Sequence, residues 1–142
     1  MNMKKLSIAL TTLFGIGLLI FNSCGTVPIT GRRQLNLVSD GEILAASATQ
    51  YRQFISKSQL SHNSTYNNKV TQVGRRLAAA TNIYLKQNGY ESMLSTLNWE
   101  FNVVDSKQIN AFCMPGGKIV VYTGLLNLVG NGSHSDDELA AV

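Results

Sequence analysis

Apolar residues recur at helical spacing early in the chain. Ile43, Leu44, Ala46, Ala48, Tyr51, Phe54 and Ile55 follow a helical period. Ser39-Asp40-Gly41-Glu42, just ahead, has the form of a capping box: the Ser39 hydroxyl can accept from the Glu42 backbone N–H, and the Glu42 side chain can reach back. The pattern predicts a helix over residues 39–58. Val70, Val73, Leu77, Ala80 and Tyr84 form a second stripe, with Lys69, Arg75, Arg76 and Lys86 mostly off it, and Asn88-Gly89 supplies a stop. A second helix is expected over 66–87. The period then drops to two. Trp99-Glu100-Phe101-Asn102-Val103 alternates like a half-buried strand. Residues 110–114 form another extended stretch, Pro115-Gly116-Gly117 a tight turn, and Lys118-Ile119-Val120-Val121-Tyr122 a β-branched strand, so the last two should pair as a hairpin. Residues 124–129 read as a short helix and 130–132 as a loop. Ser135-Asp136-Asp137-Glu138 reads as a second capping box, with acids where the helix dipole favours them. Leu139 to Val142 continue that helix as an apolar run. So short a helix with no stop signal is marginal on its own, and the sequence reads as ending inside a helix meant to be buried. The fold class expected is α+β: two N-terminal helices packed on a small antiparallel sheet, with the start of a further helix at the C-terminal end.

The first residues follow a different logic. Lys4 and Lys5 precede an uncharged apolar run over residues 6–21, shorter than the roughly 20 residues a membrane-spanning helix needs. Phe21-Asn22-Ser23-Cys24-Gly25 follows it. A small residue and then Cys directly after an apolar run looks like a lipobox, where the Cys thiol takes a diacylglyceryl thioether. Phe21 and Asn22 depart from the commonest form and resemble the looser lipoboxes of Bacteroidetes-type lipoproteins. Each acyl chain contributes about 0.8 kcal/mol per buried methylene, and more than one makes a stable anchor. An uncleaved transmembrane anchor is the competing reading. The expected organisation is a lipoprotein signal peptide over 1–23, a lipidated tether over 24–38 with Cys24 as the attachment point, and a folded domain over 39–142. Gly25 after the lipidated Cys, where an acidic residue would otherwise stand, points to the outer membrane with the domain facing the periplasm.

Charge alters little. The formal net charge is +4, and loss of Lys4 and Lys5 with the signal removes part of it, so nothing argues for nucleic acid as a partner. With Cys24 lipidated, Cys113 has no intramolecular partner, and its neighbours Ala111, Phe112 and Met114 suggest a buried, inert thiol. His62 and His134 lie in polar segments and read as solvated loop residues. Asp136, Asp137 and Glu138 are explained by helix capping more simply than as a carboxylate site.

Thr30-Gly31-Arg32-Arg33-Gln34-Leu35 with Ser39-Asp40, then Asn110-Ala111-Phe112, Pro115-Gly116-Gly117, Thr123-Gly124-Leu125-Leu126 and Asp137-Glu138-Leu139-Ala140-Ala141-Val142 stand in a familiar order. Together they resemble the HtpX-like and BepA-like zinc metallopeptidases of the gluzincin type (peptidase family M48), relatives of the CAAX prenyl proteases and of Oma-type proteases. The likeness covers nearly all of residues 28–142. It implies that 39–142 is the N-terminal part of a zinc metallopeptidase domain. In that family a His-Glu-x-x-His motif follows an Ala-Val like Ala141-Val142, two His binding zinc and the Glu activating water.

That motif is absent here, so no residue is assigned as catalytic or as a metal ligand, and this chain is expected to bind no zinc and to be inactive alone. The likeness also places Asn110, Ala111 and Phe112 beside the substrate cleft, where the strand ahead of the zinc helix pairs with an extended polypeptide. The role implied for the whole protein is membrane-anchored proteolysis in envelope quality control. The alternative is a non-catalytic envelope lipoprotein that binds unfolded or partner proteins through the same edge strand.

Overall fold

The computed structural model describes residues 24–27, 30–35 and 38–142. The expected signal segment, 1–23, lies outside them. The chain divides into two compact units, 1–39 and 40–142. In the first, the stretch expected to be a tether carries a two-stranded antiparallel hairpin, β1 (Cys24–Thr26) with β2 (Arg33–Leu35). Its turn is closed by the Val27 N–H on the Arg32 carbonyl at 2.8 Å and the Gly31 N–H on the Val27 carbonyl at 3.0 Å.

The second unit runs α1 (Asp40–Lys57), α2 (Ser64–Gln87), α3 (Glu91–Leu94), β3 (Glu100–Val104), β4 (Ala111–Met114), β5 (Lys118–Tyr122), α4 (Thr123–Val129) and α5 (Ser135–Ala140). The expected helices and strands are present within a residue or two. α2 begins where Asn63 caps it: its side-chain oxygen accepts from Thr65 N–H at 3.0 Å and Tyr66 N–H at 3.3 Å, a cap worth about 1 kcal/mol. The α+β class stands, with one correction. The sheet is mixed, not antiparallel: its order is β3-β5-β4, β4 pairing antiparallel with β5, and β3 parallel to it. The physical reason is β5. Its Ile119-Val120-Val121 run is apolar on both faces, and such a strand is most favourable at the centre, covered from both sides.

Helices supply that cover. Val103 and Val121 pack with Val70 and Val73 of α2 and with Leu125, Leu126 and Leu139. Val120 and Val104 pack with Tyr51 of α1, joined by Phe54, Ile55, Phe112 and Tyr122. Alternate residues of β5 therefore feed two separate cores, and complete burial of Val120 alone is worth about 2 kcal/mol.

The buried face of α2 also differs from the expected stripe. Val70 and Val73 are buried as expected, but Gly74, Ala78 and Leu85 continue the face, while Leu77 and Tyr84 stay 42% and 43% exposed. Gly74 explains the rotation. A Cβ there would lie 2.4 Å from the Phe101 ring, so the helix turns its glycine toward the sheet to receive that ring.

Gly124 marks a second close approach. Thr123, buried at the start of α4, accepts the Ser106 N–H at 3.0 Å, and its hydroxyl lies 2.9 Å from the Ser106 carbonyl. The Gly124 N–H donates to that same carbonyl at 2.8 Å. This draws the 105–108 loop so close that a Cβ on Gly124 would meet the Lys107 and Gln108 carbonyl oxygens at 2.4 Å. Gly→Ala in a helix ordinarily gains up to about 1 kcal/mol. Backbone oxygens cannot rotate away, so the clash should win: Gly124→Ala is expected to destabilise by about 2 kcal/mol in denaturant unfolding, and an unchanged or raised midpoint would contradict the contact.

Candidate functional site

The two outer edges of the three-stranded sheet are treated differently. β3's edge is closed by the segment after α1: Ser61 N–H donates to the Val103 carbonyl at 2.9 Å, Asp105 N–H to the Gln59 carbonyl at 2.7 Å, and Leu60 bridges to Val104. β4 forms the opposite edge, with β5 its one neighbour in the sheet among the described residues. Tyr122 N–H donates to the Asn110 carbonyl at 3.0 Å, which makes Asn110 and Tyr122 a hydrogen-bonded pair. Since such pairs alternate along an antiparallel ladder, Phe112 and Met114 also spend their backbone groups on β5. The N–H and C=O groups of Ala111 and Cys113 point the other way, along the open edge.

The three residues expected beside a cleft thus play different parts. Asn110 is exposed, its carbonyl engaged by β5. Ala111 offers the edge its backbone. Phe112 borders the adjoining groove, but its ring packs edge-to-face on Phe54 of α1 at 5.2 Å, in the core of the opposite face. Cys113 corrects an expectation: it is exposed. Two residues from Ala111, it shares that residue's face, and the period of two could have placed it there. Partial desolvation raises its thiol above the ordinary 9.0, so it stays protonated at neutral pH. Beneath this face runs an apolar groove of about 160 Å³, lined by Leu77, Ile119, Val121, Leu139 and Val142 along with β4.

The hairpin end is pinned from the α1 side. Gly116 and Gly117 take φ of 91° and 77°, conformations that L side chains rarely adopt. Gly117 lies under the Trp99 indole, where a Cβ would come within 2.9 Å of the ring. Ser47 of α1 donates to the Pro115 carbonyl at 2.9 Å. Lys118, buried, pairs with Glu100, donates to the Asn98 carbonyl at 2.7 Å and sits 5.8 Å from the Tyr51 ring centroid. The Tyr51 hydroxyl accepts from Asn102 at 2.5 Å. Burial chiefly raises the Tyr51 phenol above its ordinary 10.0; the Asn102 hydrogen bond opposes this and nearby Glu100 reinforces it.

At the other end, the expected capping box of α5 does not form. His134 occupies the cap position without a side-chain hydrogen bond, and Ser135, buried within the first turn, accepts from Lys69 at 2.6 Å. His62 is exposed, as is His134, whose Nδ1 lies 4.0 Å from Asp137. Among the described residues no group of three His, Cys, Asp or Glu is arranged to hold a metal ion. The described side chains therefore form no zinc site, and no chemical step is assigned to them.

The model of peptidase family M48 matches residues 64–142, from the start of α2 through the open edge to α5. The mitochondrial metalloendopeptidase OMA1 of Homo sapiens is 30% identical over 133 residues, covering 90% of this chain and 24% of its own length. The Bos taurus protein of the same name is 29% identical over the same shares. The OMA1 of Arabidopsis thaliana reaches 47% over 57 residues, 40% of this chain and 11% of its own. The chain thus spans about a quarter of the length of the mammalian relatives. These relatives are of OMA1 type, and the HtpX-like and BepA-like branch is not singled out.

Tyr51 gives the polar cluster a measurable signature. A phenol whose folded pKa is raised adds stability that is fully present below its unfolded value and is lost as pH rises through the folded one. Phenolate absorbance in an alkaline titration should include a late step above the ordinary tyrosine value of 10.0, and Tyr51→Phe should remove it. A late step surviving in Tyr51→Phe would contradict the burial of this hydroxyl.

Proposed function

The chain belongs to peptidase family M48, and on that premise we propose that it is the N-terminal part of a membrane-anchored zinc metalloendopeptidase acting in envelope protein quality control. The observation that carries the reading is the family match across the region that holds the open β4 edge and the groove beside it. An extended polypeptide lies along β4, its backbone pairing with the N–H and C=O groups of Ala111 and Cys113. That mode reads main chain rather than side chains, as suits a protease for unfolded substrates. Zinc bound by the whole protein would supply the Lewis-acid chemistry of a metalloendopeptidase; among the described residues no cluster of His, Cys, Asp or Glu is arranged to hold it.

The anchor is Cys24. Lys4 and Lys5, the apolar run over 6–21 and Ser23-Cys24-Gly25 support lipidation there. Among the described residues no helix is long and apolar enough to cross a membrane. We place the domain in the periplasm, on the outer membrane.

One experiment addresses both parts. The parent protein, this chain with whatever follows it in its reading frame, is expressed with and without Cys24→Ala and assayed on casein. The parent is expected in the membrane fraction, carrying incorporated labelled fatty acid and with cleavage of casein abolished by a chelator; Cys24→Ala should incorporate no label yet still cleave. The 142-residue chain alone should neither cleave nor retain zinc. A parent without chelator-sensitive cleavage would leave the non-catalytic binding role and overturn the peptidase reading. Fatty-acid label on Cys24→Ala, or none on the parent, would overturn the anchor.

A further inference from the structure

Lys69, on α2, is set apart by where its charge goes. Its side chain is only 10% exposed, and a desolvated ammonium is costly unless its protons are engaged. Nζ donates to the Gly130 carbonyl at 2.7 Å and to the Ser135 hydroxyl at 2.6 Å, with Asp136 Oδ1 at 3.9 Å. All three partners belong to one place, the loop leaving α4 and the first turn of α5. A cation facing the positive end of a helix dipole is unfavourable by itself; Asp136 offsets that, and Ser135 serves the lysine instead of capping its own helix. Gly130, at φ 69°, makes the bend that turns its carbonyl group into this contact zone.

The clamp joins two walls of the groove. α2 contributes Leu77, and α5 contributes Leu139 and Ala140, to the same apolar groove that β4 borders. β4 itself is held by β5 and by the Pro115-Gly116-Gly117 turn, through contacts in which Lys69 takes no part. One half of the groove is therefore fixed by the sheet, and the other by α5, whose first turn is tied to α2 through Lys69. Leu139, packed with Val70 and Val73, seats the helix in the core but supplies no directional bond.

We propose that Lys69 is a positioning residue: it sets the placement of α5 against the open edge of β4. Its consequence for turnover rests on the peptidase reading above; its effect on α5 does not. Substrate pairing uses the β4 backbone, so loss of the clamp leaves that pairing in place and shifts Leu139 and Ala140, the α5 wall of the groove, relative to the bound chain.

The test uses Lys69→Met, which keeps the apolar stem, and Lys69→Arg, which restores a cation. In the 142-residue chain, amide exchange over 135–141 should rise at least about tenfold in Lys69→Met, with 101–104 and 119–122 unchanged, because a lost local tie opens only the unit it holds. Lys69→Arg should recover most of that protection. In the parent peptidase, Lys69→Met should lower kcat/KM by about tenfold or more, since small misplacements around a bound chain cost rate steeply. Unchanged exchange over 135–141 would overturn the proposal, as would exchange rising equally across the sheet, which marks a general core role. So would an unaltered kcat/KM in an active parent. A wild-type parent that cleaves nothing fails the peptidase reading instead, and exchange still decides Lys69.

Discussion

The folded unit depends on burying β5 from both sides. Val120 is fully inaccessible to solvent and Val121 nearly so, on opposite faces of one strand. Neither could be covered by a hairpin alone, since an isolated two-stranded ribbon leaves a face in water. Two helices therefore take one face each, and the strand is flanked on both edges by β3 and β4. The rest follows from this central placement. β3 must run parallel to β5 because the chain reaches β5 by way of β4, and the glycine turn must be tight because β4 and β5 are consecutive. Gly74 and Gly117 let Phe101 and Trp99 approach closely enough to fill the α2 layer and underpin the turn.

From the same arrangement comes an asymmetry of edges. An unpaired strand edge invites association with another chain, and proteins commonly cover it. Here the β3 edge is closed by the segment around Leu60, whereas β4 turns alternate backbone groups outward beside an apolar groove. The matched family region includes this edge. In a protein related to metalloendopeptidases, the edge reads as a place for an extended chain, with the α2 and α5 walls alongside. The polar cluster of Lys118, Glu100, Tyr51 and Asn102 ties the hairpin to β3 and α1 on the other side.

Much of this was legible in the residues because it is local. The period of 3.6 over α1 and α2, the period of two over β3, and the Pro-Gly-Gly turn each report on neighbours a few positions apart. Thr123-Gly124 was recognisable as a pattern, and the structure supplies its reason in the loop it draws in. What escaped depends on distant partners. Parallel pairing of β3 with β5 has no local signal. The turned face of α2 depends on Phe101 meeting Gly74, and the fate of Ser135 on Lys69, 66 positions earlier. Cys113 was misjudged from its apolar neighbours, when strand alternation puts it on the face of Ala111. Asn110, Ala111 and Phe112 lie at the edge, but only Ala111 turns its backbone outward, a distinction that needs the ladder register.

The most direct measurement of the central claim is residue-resolved amide exchange of this chain with and without a permanently unfolded polypeptide, such as reduced and carboxymethylated α-lactalbumin. If β4 receives an extended chain, the amides of Ala111 and Cys113 should become protected together, while those of Phe112 and Met114, already bonded to β5, should change little. Binding that leaves Ala111 and Cys113 unprotected, or protection confined to another surface, would contradict the account.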